Sequence, residues 1–301
     1  MSRVARSALA VVVIFAALPA SAFLRETTGG DPTTGTCLWW GGRSVTYEVN
    51  PVGLTSTTCP AAVDAELAVS TAVGLWADAT YAGTTVPCTD FHFAGGAAST
   101  RRAIGNDGHN LIVFRKGPCG TGKTPSVDNC WSHGSPGIIA LTTTTEDDVT
   151  GQLLDADVEL YSWDGLGSPD GTSGWNFGCG GAATGVDITS VVAHESGHML
   201  GLDHVCTDEF GPAFNVCNRD PGTSLAPIMR PQVGSASQRT LAQDDVNGIC
   251  SIYPKGAATR TCPPVQQRGS SHGGCSSAGG VGLAGLLLAL LATARTRRRR
   301  V

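Results

Sequence analysis

Hydrophobic and polar residues alternate along several short stretches of the chain, a period that is typical of half-buried β-strands. The clearest example is RSVTYEVN at residues 43–50, which is rich in β-branched and aromatic side chains. We predict further strands in the same style at residues 90–93, 110–115, 137–145 and 154–161. Loops rich in Gly, Pro, Ser and Cys separate these stretches.

Two other stretches repeat their apolar residues at steps of three and four, which predicts helices with one buried face. The first helix begins at Pro60, and its apolar face consists of Ala62, Ala65, Val69, Ala72, Val73 and Trp76. The second has Asp187 as its N-cap and Gly201 at its end. Its apolar stripe consists of Ile188, Val191, Val192 and Met199. This order of strand, helix, several strands and helix predicts an α+β fold with few, long helices.

The first 22 residues have the pattern of a secretory signal peptide. Arg3 and Arg6 precede an unbroken apolar run at residues 8–18, and the small residues Ala-Ser-Ala at 20–22 form a cleavage site. Cleavage there would leave Phe23 as the first residue; an N-terminal membrane anchor is the alternative. Residues 23–36 are polar and glycine-rich without periodicity, so we predict a flexible lead before a folded domain at residues 37–253.

Residues 254–274 have the composition of a linker, and residues 275–301 form a distinct tail. In this tail Cys275 is followed by an apolar run at 281–292 and by four arginines at 297–300. The run is shorter than the roughly 20 residues of a comfortable membrane helix. The tail resembles a MYXO-CTERM sorting signal, which implies at least transient membrane contact, a sorting enzyme that cuts near Cys275, and retention at the cell surface or outer envelope. An uncut tail anchor is the alternative.

Charge and cysteine content narrow the class of protein. The formal net charge is −5, which argues against a nucleic-acid partner. The chain has eleven cysteines, and in an exported protein we expect disulfides rather than thiolate ligands. The ten cysteines from Cys37 to Cys262 are predicted to form five bridges, with Cys206–Cys217 as the preferred local pair. Cys275 is then left unpaired.

The segment HESGHMLGLDH at residues 194–204 carries the chemistry of a metal site. His194 and His198 lie four residues apart on one helix face, so both imidazoles can reach one ion. The chain must turn abruptly at Gly201, after which His204 can return as a third ligand. Three neutral nitrogens leave zinc its full charge, so the pKa of a bound water falls towards about 7. Glu195 is then placed to act as the general base for attack on a carbonyl.

This segment matches the metzincin signature HExxHxxGxxH and looks most like the matrixin branch. In addition, APIMRP at residues 226–231 resembles the Met-turn, which implies that Met229 forms an apolar floor beneath the zinc. The stretch at 241–254 resembles the C-terminal matrixin helix, in which Asp244 and Asp245 would hold the Met-turn and the N-terminal region. The resemblance covers most of residues 43–253 and implies a zincin fold with a twisted, mostly parallel sheet, long helices, and a zinc cleft between two subdomains. The cysteine count adds the expectation that this fold is disulfide-rich.

Several features depart from the matrixin pattern. The connection from His204 to Met229 is long and carries Cys206 and Cys217, so we expect a disulfide-pinned insertion. The family's structural zinc needs histidines in the middle strands, and the stretch at 154–161 has none; we expect disulfides to replace that zinc. No cysteine-switch motif precedes Cys37. The remaining histidines are assigned to ordinary structure or solvent: His92, His109, His133 and His272.

Two acidic groups are candidate calcium ligands. One consists of Glu146, Asp147 and Asp148, for which a solvated loop is the favoured interpretation. The other consists of Asp155, Asp157 and Glu159.

The sequence thus predicts a secreted or surface-held zinc endopeptidase that hydrolyses proteins or peptides with one catalytic Zn²⁺. The alternative is a non-catalytic surface module that keeps the fold for adhesion or binding. Glu195 favours the enzyme, because a fold kept only for binding has no need of it.

Overall fold

The computed structural model describes residues 23–30, 35–54, 56, 58–59, 61–133, 138–162, 177–179, 186–205, 227–231 and 238–262. Its strands are β1 Leu24–Arg25, β2 Trp39–Trp40, β3 Ser44–Asn50, β4 His92–Ala98, β5 Asn110–Arg115, β6 Ala140–Glu146, β7 Gln152–Tyr161, β8 Phe177–Gly178, β9 Val186–Asp187 and β10 Leu202–Asp203. Its α-helices are α1 Ala62–Ala77, α2 Pro125–Asp128, α3 Ile188–Met199 and α4 Gln243–Ile252, and a short 3₁₀ turn covers Pro51–Gly53. No helix in these ranges is long and apolar enough to cross a membrane.

A six-stranded sheet forms the centre of the fold, and most of its strand pairs are parallel. The strands follow the order β2, β7, β5, β3 and β4, with every neighbouring pair parallel. Strand β6 pairs with β7 in the antiparallel direction. Strand β5 is buried along its whole length, as expected for an inner strand covered on both faces. The α+β class and the mostly parallel sheet predicted from the sequence are therefore confirmed.

Helices α1 and α3 pack against each other, and the predicted apolar residues of both helices are buried except Ala62, which is exposed at the start of α1. The indole of Trp76 on α1 is fully buried. Its Nε1 donates to the carbonyl oxygen of Ala193 and to Oγ of Ser196 on α3, both at 3.0 Å. The single N–H donor of the indole is shared between two acceptors, and both belong to α3. These bonds therefore hold α3 against α1.

Strand β4 extends five residues beyond the predicted end at residue 93. The stretch Phe93–Ala98 lacks apolar alternation and contains Gly95 and Gly96, both with positive φ. The strand pairs with β3 through an irregular register between Tyr47 and Glu48. A Cβ at Gly96 would lie 2.6 Å from the hydroxyl oxygen of Tyr47. This glycine therefore allows close packing inside a strand and does not mark a loop.

The predicted flexible lead contains ordered structure and requires correction. Strand β1 pairs with β10 in the antiparallel direction, and Thr27 forms a bridge with Cys37. The guanidinium of Arg25 is buried and donates to the carbonyl oxygens of Leu38 and Arg260. Hydrophobic periodicity did not reveal this segment because long-range backbone pairing and a buried cation hold it.

The predicted linker also begins too early, because its first nine residues are part of the domain. Pro254 forms a bridge with Thr89, and the N–H of Arg260 donates to the carbonyl oxygen of Ile252 at 2.8 Å. Cys262 is paired with Cys37. The composition of these nine residues is that of a linker, but a disulfide and backbone hydrogen bonds fix them to the domain.

Four cysteine pairs lie at disulfide distance, with Cα–Cα separations of 4.8–5.6 Å. The pairs are Cys37–Cys262, Cys59–Cys179, Cys88–Cys250 and Cys119–Cys130. They account for eight of the ten cysteines predicted to be bridged. The predicted pair Cys206–Cys217 lies outside the described residues, as do Cys275, His272 and the predicted signal peptide.

Candidate metal centre

Helix α3 carries two of the three candidate ligands, and its two ends are well defined. Its N-cap Asp187 accepts a hydrogen bond from the N–H of Ser190 at 3.1 Å and forms an ion pair with Arg239. The helix is followed by Gly201, which has a φ of +85°. A Cβ at Gly201 would lie 2.5 Å from the carbonyl oxygen of Leu38, so this turn needs glycine for space as well as for conformation.

The three predicted histidines converge on one point. The Nε2 atoms of His194, His198 and His204 form a triangle with all three sides equal to 3.2 Å. Tetrahedral ligands at 2.0–2.1 Å from zinc are separated from one another by about 3.3–3.4 Å. The triangle therefore fits a three-histidine zinc site. It is also the one potential metal-binding group of three or more His, Cys, Asp or Glu found among the described residues.

The other ring nitrogens set the tautomers that a metal requires. Nδ1 of His194 lies 2.7 Å from the carbonyl oxygen of Ile228. Nδ1 of His198 lies 2.9 Å from the carbonyl oxygen of Leu202 and 2.8 Å from Oε1 of Glu26. Since these oxygens only accept hydrogen bonds, Nδ1 is the donor in both rings, and in the neutral form of each ring the Nε2 lone pair points to the centre of the triangle.

The electrostatic surroundings differ among the three rings. Burial, together with the neighbouring histidines, lowers the pKa of His194 well below its usual range and that of His204 to about 3. Burial also lowers the pKa of His198, but the hydrogen bond and charge of Glu26, together with the charges of Glu195 and Asp203, outweigh burial and raise it to about 9. The carboxylates that favour a proton on His198 would also favour a metal cation at its Nε2.

Glu195 lies next to the first ligand and is almost completely buried. Burial raises the pKa of its carboxyl. Its Oε2 accepts a hydrogen bond of 2.6 Å from Oγ1 of Thr142 on strand β6. The sequence did not indicate Thr142, because it lies within a run of four threonines and nothing in that run shows which one faces the helix.

The predicted Met-turn lies beneath α3 and is held by α4. Met229 is 1% exposed, and the absence of a side chain at Gly197 makes room for its thioether. Asp245 accepts hydrogen bonds from the N–H groups of Ile228 and Met229, at 2.9 and 3.2 Å. Asp244 lies beside Asp245 in the first turn of α4. This arrangement ties the floor of the site to the C-terminal helix.

Two of the histidines that we assigned to ordinary structure, His109 and His133, contact carboxylates away from the triangle. Nδ1 of His109 lies 2.8 Å from Oε1 of Glu48, and Nε2 of His133 lies 2.8 Å from Oε2 of Glu159. Glu159 also pairs with the fully buried Arg115 at 2.6 Å. His92 is exposed on β4.

The candidate calcium ligands bind groups of the protein itself. Asp155 accepts a hydrogen bond from the N–H of Gly108 at 2.9 Å, and Asp157 accepts from Gly105 and Leu111, both at 2.8 Å. In the other group, Asp147 accepts from the N–H and the hydroxyl of Thr150. Calcium binding at either group stays a prediction.

Three converging imidazoles beside a buried carboxylate could hold a zinc ion next to a group that can accept a proton. Comparison with known proteins agrees. Residues 127–254 match the family model of the matrixins, described as Peptidase_M10, and this range contains all three histidines, Glu195 and Met229. The chain is also 29% identical over 92 residues to matrix metalloproteinase-25 of Homo sapiens. That match covers 31% of this chain and 14% of the human protein. These similarities support a matrixin-like metalloprotease domain, a class that binds zinc.

Proposed function

We propose that this protein is a zinc endopeptidase that hydrolyses peptide bonds in proteins. The observation that carries the proposal is the 3.2 Å triangle of Nε2 atoms beside the buried Glu195. His194, His198 and His204 would hold the metal. When bound, zinc supplies a Lewis acid that polarises a carbonyl group and makes water more acidic.

In this proposal Glu195 is the general base. It takes the proton of the attacking water at its carboxylate and passes it to the leaving amine. The hydroxyl of Thr142 holds Oε2 in place, and the raised pKa of the buried carboxyl brings it closer to that of the water it serves. Burial keeps other water away from the carboxylate.

A polypeptide substrate is supported by the position of strand β6. Within the described residues this strand pairs with β7 alone, and its Thr142 contacts Glu195. An extended peptide that added to the free side of β6 would therefore run past the general base. Strand addition of this kind uses the peptide backbone for affinity and leaves side-chain pockets to set specificity.

The test compares wild type with Glu195→Gln on denatured casein. We expect wild type to cleave casein and to stop when zinc is chelated. The variant should keep its zinc and lose activity by about 100-fold or more, as expected for removal of a general base. A zinc-loaded wild-type protein that cleaves neither casein nor gelatin would instead support the non-catalytic binding module. Equal rates in the two proteins would refute the role of Glu195.

We further propose that the protein is exported and held at the surface. The signal-peptide pattern at residues 1–22 and the four cysteine pairs support an oxidising compartment. The tail at 275–301 would anchor the chain transiently until a sorting enzyme cuts near Cys275. Mass spectrometry of the mature protein tests this: recovery of an intact C-terminus through Val301, or unchanged processing in Cys275→Ala, would contradict the cut.

A further inference from the structure

The carboxylate of Glu26 reaches the metal centre from the N-terminal segment. Its Oε1 lies 2.8 Å from Nδ1 of His198, on the edge of the ring opposite the Nε2 atom that faces the other two histidines. Glu26 therefore contacts a candidate ligand without being placed to act as a ligand itself. No sequence pattern pointed to it, because residues 23–36 carry no periodicity.

The backbone around Glu26 is fixed on both sides. Its N–H donates to the carbonyl oxygen of Gly201 at 3.1 Å, and its carbonyl oxygen accepts from the N–H of Leu38 at 2.9 Å. The preceding residue, Arg25, is buried and belongs to strand β1, which pairs with β10 directly before His204. The side chain is 23% exposed, so solvent screens it only in part.

A carboxylate at this position differs chemically from a backbone carbonyl. A charged acceptor forms a stronger hydrogen bond with Nδ1–H, and it increases the electron density that the imidazole offers at Nε2. His194 has only the neutral carbonyl of Ile228 at its Nδ1. The carbonyl of Leu202 also accepts from Nδ1 of His198, so the charge of Glu26 is an addition to a ring that is already oriented.

We propose that Glu26 is a positioning residue that strengthens zinc binding through His198, so that the N-terminal segment sets the metal affinity of the site. The inference rests on the proposed zinc site and extends it to a residue outside the matched region. The opposing interpretation is a surface ion pair of little consequence, in which the carbonyl of Leu202 alone orients the ring.

The test uses Glu26→Gln in the full chain, with Glu66→Gln on α1 as the matched control. Glutamine keeps the size and one acceptor of Glu26 and removes the charge. Within the described part of the chain the Glu66 side chain makes no hydrogen bond or ion pair, and its substitution changes the net charge by the same amount. Zinc dissociation constants are measured by competition with a chromogenic chelator. We expect Glu26→Gln to bind zinc about 10- to 100-fold more weakly than wild type and Glu66→Gln to match wild type.

A second measurement separates positioning from a general loss of folding. In the cobalt-substituted protein, the exchangeable Nδ1–H proton of each ligand histidine gives a paramagnetically shifted NMR signal. Glu26→Gln should move one such signal, that of His198, and leave the signal of His194 in place. Equal zinc affinity and an unmoved His198 signal would overturn the role of Glu26 and leave the zinc site intact. A wild-type chain that binds no zinc would instead overturn the proposed function.

Discussion

The packing of Met229 and Trp76 against Gly197 on α3 can be tested by adding a single methyl group at that position. A Cβ built there would overlap Sδ of Met229 and lie 2.9 Å from Cζ2 of Trp76. The thioether can move, but the indole is held by its two hydrogen bonds to α3. The substitution Gly197→Ala must therefore displace the floor of the site or α3 itself, one residue before His198.

The magnitude follows from two opposing effects. Alanine in a helix interior is favoured over glycine by about 1 kcal/mol. Overpacking a filled core costs about 1–3 kcal/mol. The net effect of Gly197→Ala on the free energy of unfolding is thus a loss of about 0–2 kcal/mol. Gly74→Ala in helix α1 is the matched control, because nothing lies within 4 Å of its Cβ position and only the gain of about 1 kcal/mol remains.

Thermal unfolding of the two zinc-saturated variants, followed by circular dichroism, measures the difference. We expect the Tm of Gly74→Ala to rise above that of wild type. The Tm of Gly197→Ala should lie roughly 2–12 °C below that of Gly74→Ala, because the two variants differ by about 1–3 kcal/mol and 1 kcal/mol corresponds to about 2–4 °C in a domain of this size. Casein cleavage should fall only in Gly197→Ala. If Tm rises by the same amount in both variants, Met229 does not pack against Gly197 as described.

Three further predictions follow from the same structure. Thr142→Val removes the hydroxyl that holds Glu195, so kcat on casein should fall about tenfold with zinc content unchanged; an unchanged kcat would exclude that role. Asp245→Ala leaves buried N–H groups of the Met-turn without their acceptor and should lower the free energy of unfolding by about 2–4 kcal/mol in urea titrations, whereas a loss below 1 kcal/mol would contradict it. Burial raises the pKa of Asp157 to about 7, from an ordinary value of 3.8. The unfolded chain therefore ionises first, and the stability of chelator-treated protein should decline between about pH 4 and pH 7, by no more than about 4 kcal/mol from this residue. Asp157→Asn should flatten that decline, and an equal slope in both proteins would count against the shift.

The parts of the fold that the sequence predicted are those with a strong local period. Helix α3 was predicted with its Asp187 cap and its Gly201 end because capping and helical spacing are local properties. Strand β5 was predicted over its observed range, Asn110–Arg115. The three histidines were predicted to converge because the motif spacing fixes which residues share a helix face and where the chain must turn.

The parts that the sequence did not predict depend on contacts between distant segments. Glu26 meets His198 across 172 positions of the chain, and Thr142 meets Glu195 across 53. The pair Cys37–Cys262 spans 225 positions, and an even cysteine count cannot select one pairing among many. Strand β1 has only two residues, too few to show a period.

The most direct test of the central claim is the zinc content of the purified chain, measured by elemental analysis on protein that has never met a chelator. The structure predicts about one zinc per chain in wild type and in Glu195→Gln, because that residue is not a ligand. His198→Ala should lose most of its zinc, since it removes one corner of the Nε2 triangle. A wild-type protein without any transition metal, or a His198→Ala variant that keeps a full equivalent of zinc, would contradict the account.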